Sequence, residues 1–367
     1  MLCLLRCCVS WFLAGGILSG ILASASLGAE PELIDVFTAG QEGYHTFRIP
    51  AIITAPGGDL LAFCEGRKTG RGDHGDLDLV LKRSSDGGRT WGPLQLVYEE
   101  GGDKKVTIGN PCPVVDQSTG VIWLPFNRDN REVLVTSSSD QGKTWSKPRD
   151  ITADVKASDW DWYACGPGNA IQLTVGKHAG RLVIPCDHRV RGQGSWDAAG
   201  RSHVFYSDDH GKTWQRGGAT DFAMNECAVV QRSDGQLLLN MRSYRGKNCR
   251  AVALSSDGGD TWGPATDDAS LPEPVCQGSL VRYSGADDPR GSILLFSNPA
   301  SKGRDHLTVR MSTDEGKTWD HSRLLYAGSS AYSCIVPLPE GAFGVLLERD
   351  NYQKITFARC TLDWLEQ

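Results

Sequence analysis

Four arginines in this 367-residue chain stand where an apolar run gives way to polar residues: Arg48 in FRIP, Arg67 in EGR, Arg242 in NMRS and Arg304 in SKGRDH. Three acids and a phenol occupy comparable positions: Asp73 in GRGDHGD, Glu226 in NEC, Tyr332 in AYS and Glu348 in LLERD. A guanidinium stays charged and presents donors spaced for both oxygens of a carboxylate. Drawn to one place, the four arginines would select an organic anion locally, although the net charge of the chain is −6. With 38 Lys and Arg against 44 Asp and Glu and no basic block, nucleic acid is not an expected partner. For these residues to act together, some architecture must gather positions scattered from 48 to 348.

Two interleaved repeats supply it. SSDGGRTW at 84–91 returns as SSDQGKTW (138–145), SDDHGKTW (207–214), SSDGGDTW (255–262) and STDEGKTW (312–319). The box tryptophans Trp91, Trp145, Trp214, Trp262 and Trp319 are 54, 69, 48 and 57 residues apart, the period of a supersecondary unit. Upstream of each box, a Gly-bearing turn launches an apolar run such as GGDLLAFCEGR or AGRLVIPCDHR. This second motif occurs six times, marked by Gly58, Gly120, Gly180, Gly235, Gly291 and Gly341. Short apolar runs between turn residues, without helical periodicity, read as strands.

Each unit has room for about four strands, and radial repetition of such units gives an all-β fold, a six-bladed β-propeller of four-stranded antiparallel blades. The sixth unit ends in KITFARCTLDWL without a box, and ELIDVFTAG near residue 30 is expected to supply its missing strand. In each box the Asp can bond backbone N–H groups two residues on, the Gly can take φ > 0, and the Trp can bury its face. Asp86, Asp140, Asp209, Asp257 and Asp314 are therefore scaffold, since five dispersed copies cannot converge on one site. Strand ends on one face of the ring do converge on its mouth, and the unrepeated residues lie there.

Residues 1–29, with Arg6 as their one charge, an apolar run from Val9 to Leu22 and then ASASLGA, read as a secretory signal cleaved between about Ala25 and Ala29. The propeller domain then occupies 30–367, and the exported product is secreted or periplasmic; an uncleaved signal would leave it membrane-anchored. Nine of the twelve cysteines lie beyond the signal, at irregular spacing, and permit disulfides without requiring any. GRGDHG at 70–75 has the G-x-G-x-x-G spacing but precedes a strand-like LDLVLKRS, so no nucleotide is expected. No HExxH, Cys/His quartet or Walker motif occurs, and no metal or cofactor is expected.

FRIP, the five boxes, EGR with GDHGDLDLVLKRS, NEC, NMRS and the late AYS and ER stretches together resemble the non-viral exo-α-sialidase (neuraminidase) family, from about Tyr44 to Trp364. The resemblance implies that Arg48, Arg242 and Arg304 grip a sialic acid carboxylate, with Glu348 holding Arg48. It further implies Asp73 as acid/base, Tyr332 as nucleophile, Glu226 as its base and Arg67 as an accessory contact to the sugar. Sialylated glycoproteins, glycolipids and oligosaccharides become the expected partners. In SDWDWYACGPGNAIQL (158–173), Cys165 and Asn169-Ala170 depart from the family's Thr and His-Gly, which lie near its substrate. Trp160, Trp162 and Tyr163 are expected either to wall the glycerol or N-acetyl arm or to pack a blade edge.

The residue types also suit that chemistry. A sialoside's anomeric carbon already bears a carboxylate, which would repel an approaching carboxylate nucleophile, whereas a phenol approaches neutral. With an ordinary pKa near 10, that phenol needs a base such as Glu226. Two other readings stay open at the level of sequence: a non-catalytic propeller that binds sialic acid, and a sialidase-like enzyme that transfers the sugar or closes it on itself. A lectin has no need of Glu226 beside Tyr332 or of an acid at Asp73.

Overall fold

A computed structural model describes residues 30–102, 104–285 and 287–367; the signal segment expected at 1–29 lies outside the described residues. The fold is all-β, built from antiparallel sheets in a propeller-like ring. Four successive stretches each build one sheet: Thr46–Thr54 through Gln95–Tyr98, Ile108–Gly109 through Arg149–Asp150, Trp160–Cys165 through Gln215–Phe222, and Met224–Gln231 through Thr266–Pro272. The fifth and sixth repeats share a seven-stranded sheet. The 17-residue strand His321–Pro337 joins them, pairing first with Asp305–Ser312 and then with Ala342–Arg349. The six expected blades thus appear as five continuous sheets, because the chain enters the sixth unit without a break in strand. Glu32–Thr38 pairs antiparallel with Lys354–Thr361 and completes the last unit.

Apolar side chains form seams between consecutive units, so each unit is stabilised through its neighbours. Leu61 and Phe63 of the first meet Leu124 and Phe126 of the second. Val133 and Val135 of the second meet Tyr163 and Ile184 of the third. The series continues through Val183 with Val229, Leu238 with Leu294 and Leu295 with Phe343, and closes where Phe47 and Ile52 meet Val336 and Phe357. A strand with both faces buried must be apolar at successive positions, which explains the near-continuous hydrophobic runs. All nine described cysteines are buried free thiols.

The boxes build these seams. In the first, Ser84 Oγ donates to Asp86 Oδ1 (2.7 Å), which also accepts from Thr90 N (2.9 Å), and Gly88 N donates to Ser84 Oγ (2.9 Å). The other four boxes repeat these bonds. Gly88 has φ +90°, and an added Cβ would lie 2.1 Å from the Phe357 ring of the preceding unit. Trp91 packs edge-on against the same ring at 5.5 Å, and Trp145 against Phe63 at 5.8 Å. The box is therefore a turn that also clamps its unit to the one before. The boxless sixth unit replaces it with a short helix, Leu362–Leu365, whose Trp364 is buried among Ile293, Leu295 and Met311 of the fifth.

Candidate active site

At one mouth of the ring a cavity of about 390 Å³ is lined by Arg48, Arg67, Asp73, Glu226, Arg242, Arg304 and Tyr332, all anticipated from sequence. Glu348 stands behind it, fully buried. Three of the contributing strands are irregular at the site: register slips between Arg48 and Ala51, between Met224 and Cys227, and between Ser330 and Ser333. Such bulges re-aim side chains, and here they turn Arg48, Glu226 and Tyr332 to the cavity. Ile49 adopts φ of +63° within the first of them, and Ala223, just before the second, adopts +62°. For a β-branched residue this costs about 1–3 kcal/mol, so surrounding contacts must enforce it.

Glu348 supplies that enforcement. Its Oε1 accepts from Arg48 Nε at 2.7 Å and from Ile49 N at 2.8 Å, while Oε2 accepts from Tyr332 N at 3.1 Å. One buried carboxylate thereby fixes an arginine, a strained peptide and the backbone of the phenol. Burial opposes the Arg48 charge, but the Glu348 carboxylate outweighs it and raises the guanidinium above its ordinary pKa.

Three arginines surround Tyr332. Arg48 and Arg304 stand over its ring, with Cζ 5.3 and 5.7 Å from the centroid, and Arg242 Nη1 donates to its hydroxyl at 3.2 Å. The hydroxyl donates a short hydrogen bond to Glu226 Oε1, and Arg242 Nη1 also donates to Glu226 Oε2 at 2.8 Å. Burial, then the Glu226 carboxylate, push the Tyr332 phenol well above its ordinary pKa against the pull of Arg242 and Arg304. Tyr332 is thus a neutral donor hydrogen-bonded to the Glu226 side chain.

Asp73 lies at the rim with its side chain 70% exposed, 2.8 Å from Arg67 Nη1 and 3.5 Å from Arg48 Nη1. Burial raises its pKa, but the Arg67 and Arg48 charges prevail and hold it below the ordinary carboxylate range. Arg67 is fixed by buried Glu65, which accepts from Nε and Nη2 at 3.0 and 2.6 Å and from Asn110 N at 3.0 Å. Gly109 permits this approach, since a Cβ there would sit 2.1 Å from Glu65 Oε1. The neighbouring acids Asp76 and Asp78 pair instead with Lys68, at 3.1 and 3.2 Å.

Elsewhere the expectations divide. Trp162 lines the cavity, while Trp160 stacks on His188 at 3.4 Å and Tyr163 is buried in a seam. Cys165 and Asn169-Ala170, expected near a substrate, are not at this mouth. Cys165 is in the seam core, and Asn169 and Ala170 line a separate, mainly apolar cavity of about 450 Å³ with Val114, Val230 and Val336.

The cavity also contains residues not anticipated: Glu65, Asn110, Asp187, Arg189, Trp196, Asn225 and Tyr244. Asp187 is fully buried, and its Oδ2 accepts from Trp162 Nε1 at 3.1 Å and Asn225 Nδ2 at 2.8 Å. Burial, then Glu226, push its carboxyl up to about 7, against Arg189. A readable signal existed: Asp187 and Arg189 are charged residues two apart in LVIPCDHRV, hence on one face of a strand otherwise mainly apolar.

This constellation can clamp a carboxylate, offer a phenol paired with a base, and present a carboxyl group at the rim. The family model of the BNR repeat-like domain matches residues 58–345. A sialidase of Micromonospora viridifaciens is 37% identical over 399 aligned residues, covering 98% of this chain and 60% of that protein, so the chain spans about three fifths of this relative's length. An exo-alpha-sialidase of Aspergillus fumigatus is 33% identical, covering 88% of this chain and 86% of its own. Among solved structures, the Hadza microbial sialidase Hz136 superposes with a TM-score of 0.80 at 29% identity, covering 89% of this chain and 68% of that one. Sequence, fold and site geometry converge: this chain belongs to the sialidase family of BNR-repeat proteins.

Proposed function

We propose that the protein is an exo-α-sialidase, hydrolysing terminal α-linked sialic acids of glycoproteins, glycolipids and oligosaccharides with retention through a tyrosyl-enzyme intermediate. The observation that carries this reading is the short hydrogen bond from Tyr332 to Glu226 inside a cluster of three arginines. A lectin would gain nothing from a base on a buried phenol, whereas a retaining enzyme that attacks through tyrosine requires one.

In this mechanism Arg48, Arg242 and Arg304 hold the substrate carboxylate and thereby set the anomeric carbon beside Tyr332 Oη. Oη attacks, its proton passes to Glu226, and the bond to the leaving oxygen breaks as Asp73 protonates that oxygen. Asp73 then takes a proton from water, which displaces the phenol; Glu226 returns its proton to Oη and both acids regain their starting states. The substrate carboxylate partly neutralises Arg48, which weakens the field holding Asp73 ionised and favours its acid form. Glu226 and the arginines offset the cost of charge on the phenol. We propose further that the protein is exported, on the support of the apolar run Val9–Leu22 followed by ASASLGA.

The test is release of 4-methylumbelliferone from its α-sialoside by wild type and Tyr332→Phe, with the first-formed sugar followed by NMR. Rapid release of the α-anomer, falling at least about 10³-fold in the variant, is expected. Binding without release would return the site to a recognition role, and an anhydro-sugar product would assign it to intramolecular transfer.

A further inference from the structure

Trp196 is more than half exposed, at 55%, yet it is not loose. It lies on the glycine-rich stretch RGQGSWDAAG and lines the candidate catalytic cavity. Arg189 holds it twice: Nε donates to the Trp196 carbonyl at 2.9 Å, and the guanidinium covers one indole face with Cζ 3.6 Å from the ring centroid. Arg189 is itself only 3% exposed. Trp162 meets the Trp196 ring nearly at right angles, at 5.2 Å, and His74 meets Trp162 in the same manner at 6.2 Å. With one indole face covered by Arg189, the exposed area of Trp196 is left to the rest of the ring.

The row of rings starts at a telling place. His74 follows Asp73, the group that protonates the leaving oxygen in the mechanism above. His74, Trp162 and Trp196 therefore form a contiguous row of rings in the cavity wall, beginning beside the group that acts on the leaving oxygen. What sets Trp196 apart from other exposed apolar side chains is its place in the cavity wall, where a rigid aromatic held by its neighbours supplies contact area to a ligand. A pyranose presents a face of C–H groups that packs on such a ring, and this face carries no charge to interact with the arginines deeper in the site.

On the reading of the site as a sialidase, we propose that Trp196, backed by Arg189 and flanked by Trp162, forms a platform for the leaving group, stacking the neutral pyranose to which sialic acid is linked. Trp196 would then favour substrates whose sialic acid caps an oligosaccharide over those with a small alkyl leaving group.

The experiment compares kcat/KM for sialyllactose with kcat/KM for the methyl α-sialoside, in wild type, Trp196→Ala and Trp196→Phe. Their ratio is independent of the fraction of active enzyme, so partial misfolding does not disturb it. A stacked sugar is worth about 1.4 kcal/mol, or tenfold. The ratio should fall about tenfold in Trp196→Ala and stay within about threefold of wild type in Trp196→Phe. An unchanged ratio in Trp196→Ala overturns the platform, including the case in which both substrates lose equally because the indole touches the sialic acid itself. A second readout needs no turnover: in saturation-transfer NMR of sialyllactose, the lactose protons should receive saturation from Tyr332→Phe and should no longer receive it from Tyr332→Phe/Trp196→Ala. Absent turnover by wild type would reject the enzyme reading. Lactose saturation that persists in the double variant, or that never develops although the sialic acid binds, would reject the platform alone.

Discussion

Replacing Glu348 with alanine should damage the protein more than any other single loss at the site. The carboxylate is wholly buried and satisfies three donors: Arg48 Nε, Ile49 N and Tyr332 N. Removing one partner of a buried ion pair costs about 3–5 kcal/mol, because the remaining charge is left uncompensated, and each orphaned N–H adds about 1–3 kcal/mol. These costs share one cavity and overlap, so we take about 4 kcal/mol as the total. At about 2 °C per kcal/mol for a large domain, the melting temperature should drop by about 8 °C, as read by scanning calorimetry. Activity should fall as well, since Arg48 and the Tyr332 backbone lose a common anchor and a displacement of about 1 Å costs on the order of 10²-fold. Glu348→Gln retains an acceptor for Arg48 and Ile49 but turns an N–H₂ group toward Tyr332 N, so it should fall between wild type and alanine in both assays. A drop of less than about 2 °C with kcat/KM intact in Glu348→Ala would refute the idea that this carboxylate organises the site.

The pH dependence of stability should carry the signature of Asp187. With its carboxyl pushed up to about 7 from 3.8, the native state retains a proton that the unfolded chain has lost between those pH values, so stability falls as pH rises through that window and levels off above it. The melting-temperature advantage of Asp187→Asn over wild type should therefore grow from about pH 4 to about pH 8, by as much as about 4 kcal/mol in free energy; a constant difference would contradict the assignment. The clamping role of the boxes is tested by two substitutions with matching backbone demands. Gly88→Ala and Gly235→Ala both place a Cβ at φ near +90°, but only the former meets a neighbouring unit. Gly88→Ala should lower stability by about 2 kcal/mol more than Gly235→Ala, and equal losses on denaturant titration would remove the seam from the explanation.

Much of this was legible in the chain because repeats announce themselves by period. Six Gly-launched strands required a radial arrangement, and that arrangement sends unrepeated strand ends such as Arg48, Arg242 and Tyr332 to one mouth. The boxes read correctly as turns, but their inter-unit role did not show, since no local pattern says that Gly88 abuts Phe357, 269 positions away. The register slips at Arg48, Glu226 and Tyr332 were equally hidden: they arise from pairing between strands, whereas sequence alternation assumes an unbroken ladder. Asp187 and Arg189 are marked only by two charges on one face of a strand buried on both sides; the pattern tells that this face is polar but not that it opens on the same cavity as Tyr332. Trp196 lies on a glycine-rich stretch, where composition suggests only a loop.

Glu32–Thr38 pairs with Lys354–Thr361 inside the last unit, and Arg48 of the first unit, a few residues further on, reaches Glu348 of that same unit. The clasp that closes the ring therefore also completes the site. Units two to five can assemble by adding neighbours, but this final contact joins segments about 300 residues apart, and its loop-closure entropy must be met before the contact returns any energy. Catalytic competence should accordingly behave as a timer for ring closure, returning on refolding with the slowest phase rather than growing with the sheets. Until then Lys354–Thr361 offers an unpaired edge to any free strand, including Glu32–Thr38 of another molecule, which makes exchange of this strand between copies the characteristic misassembly of the fold.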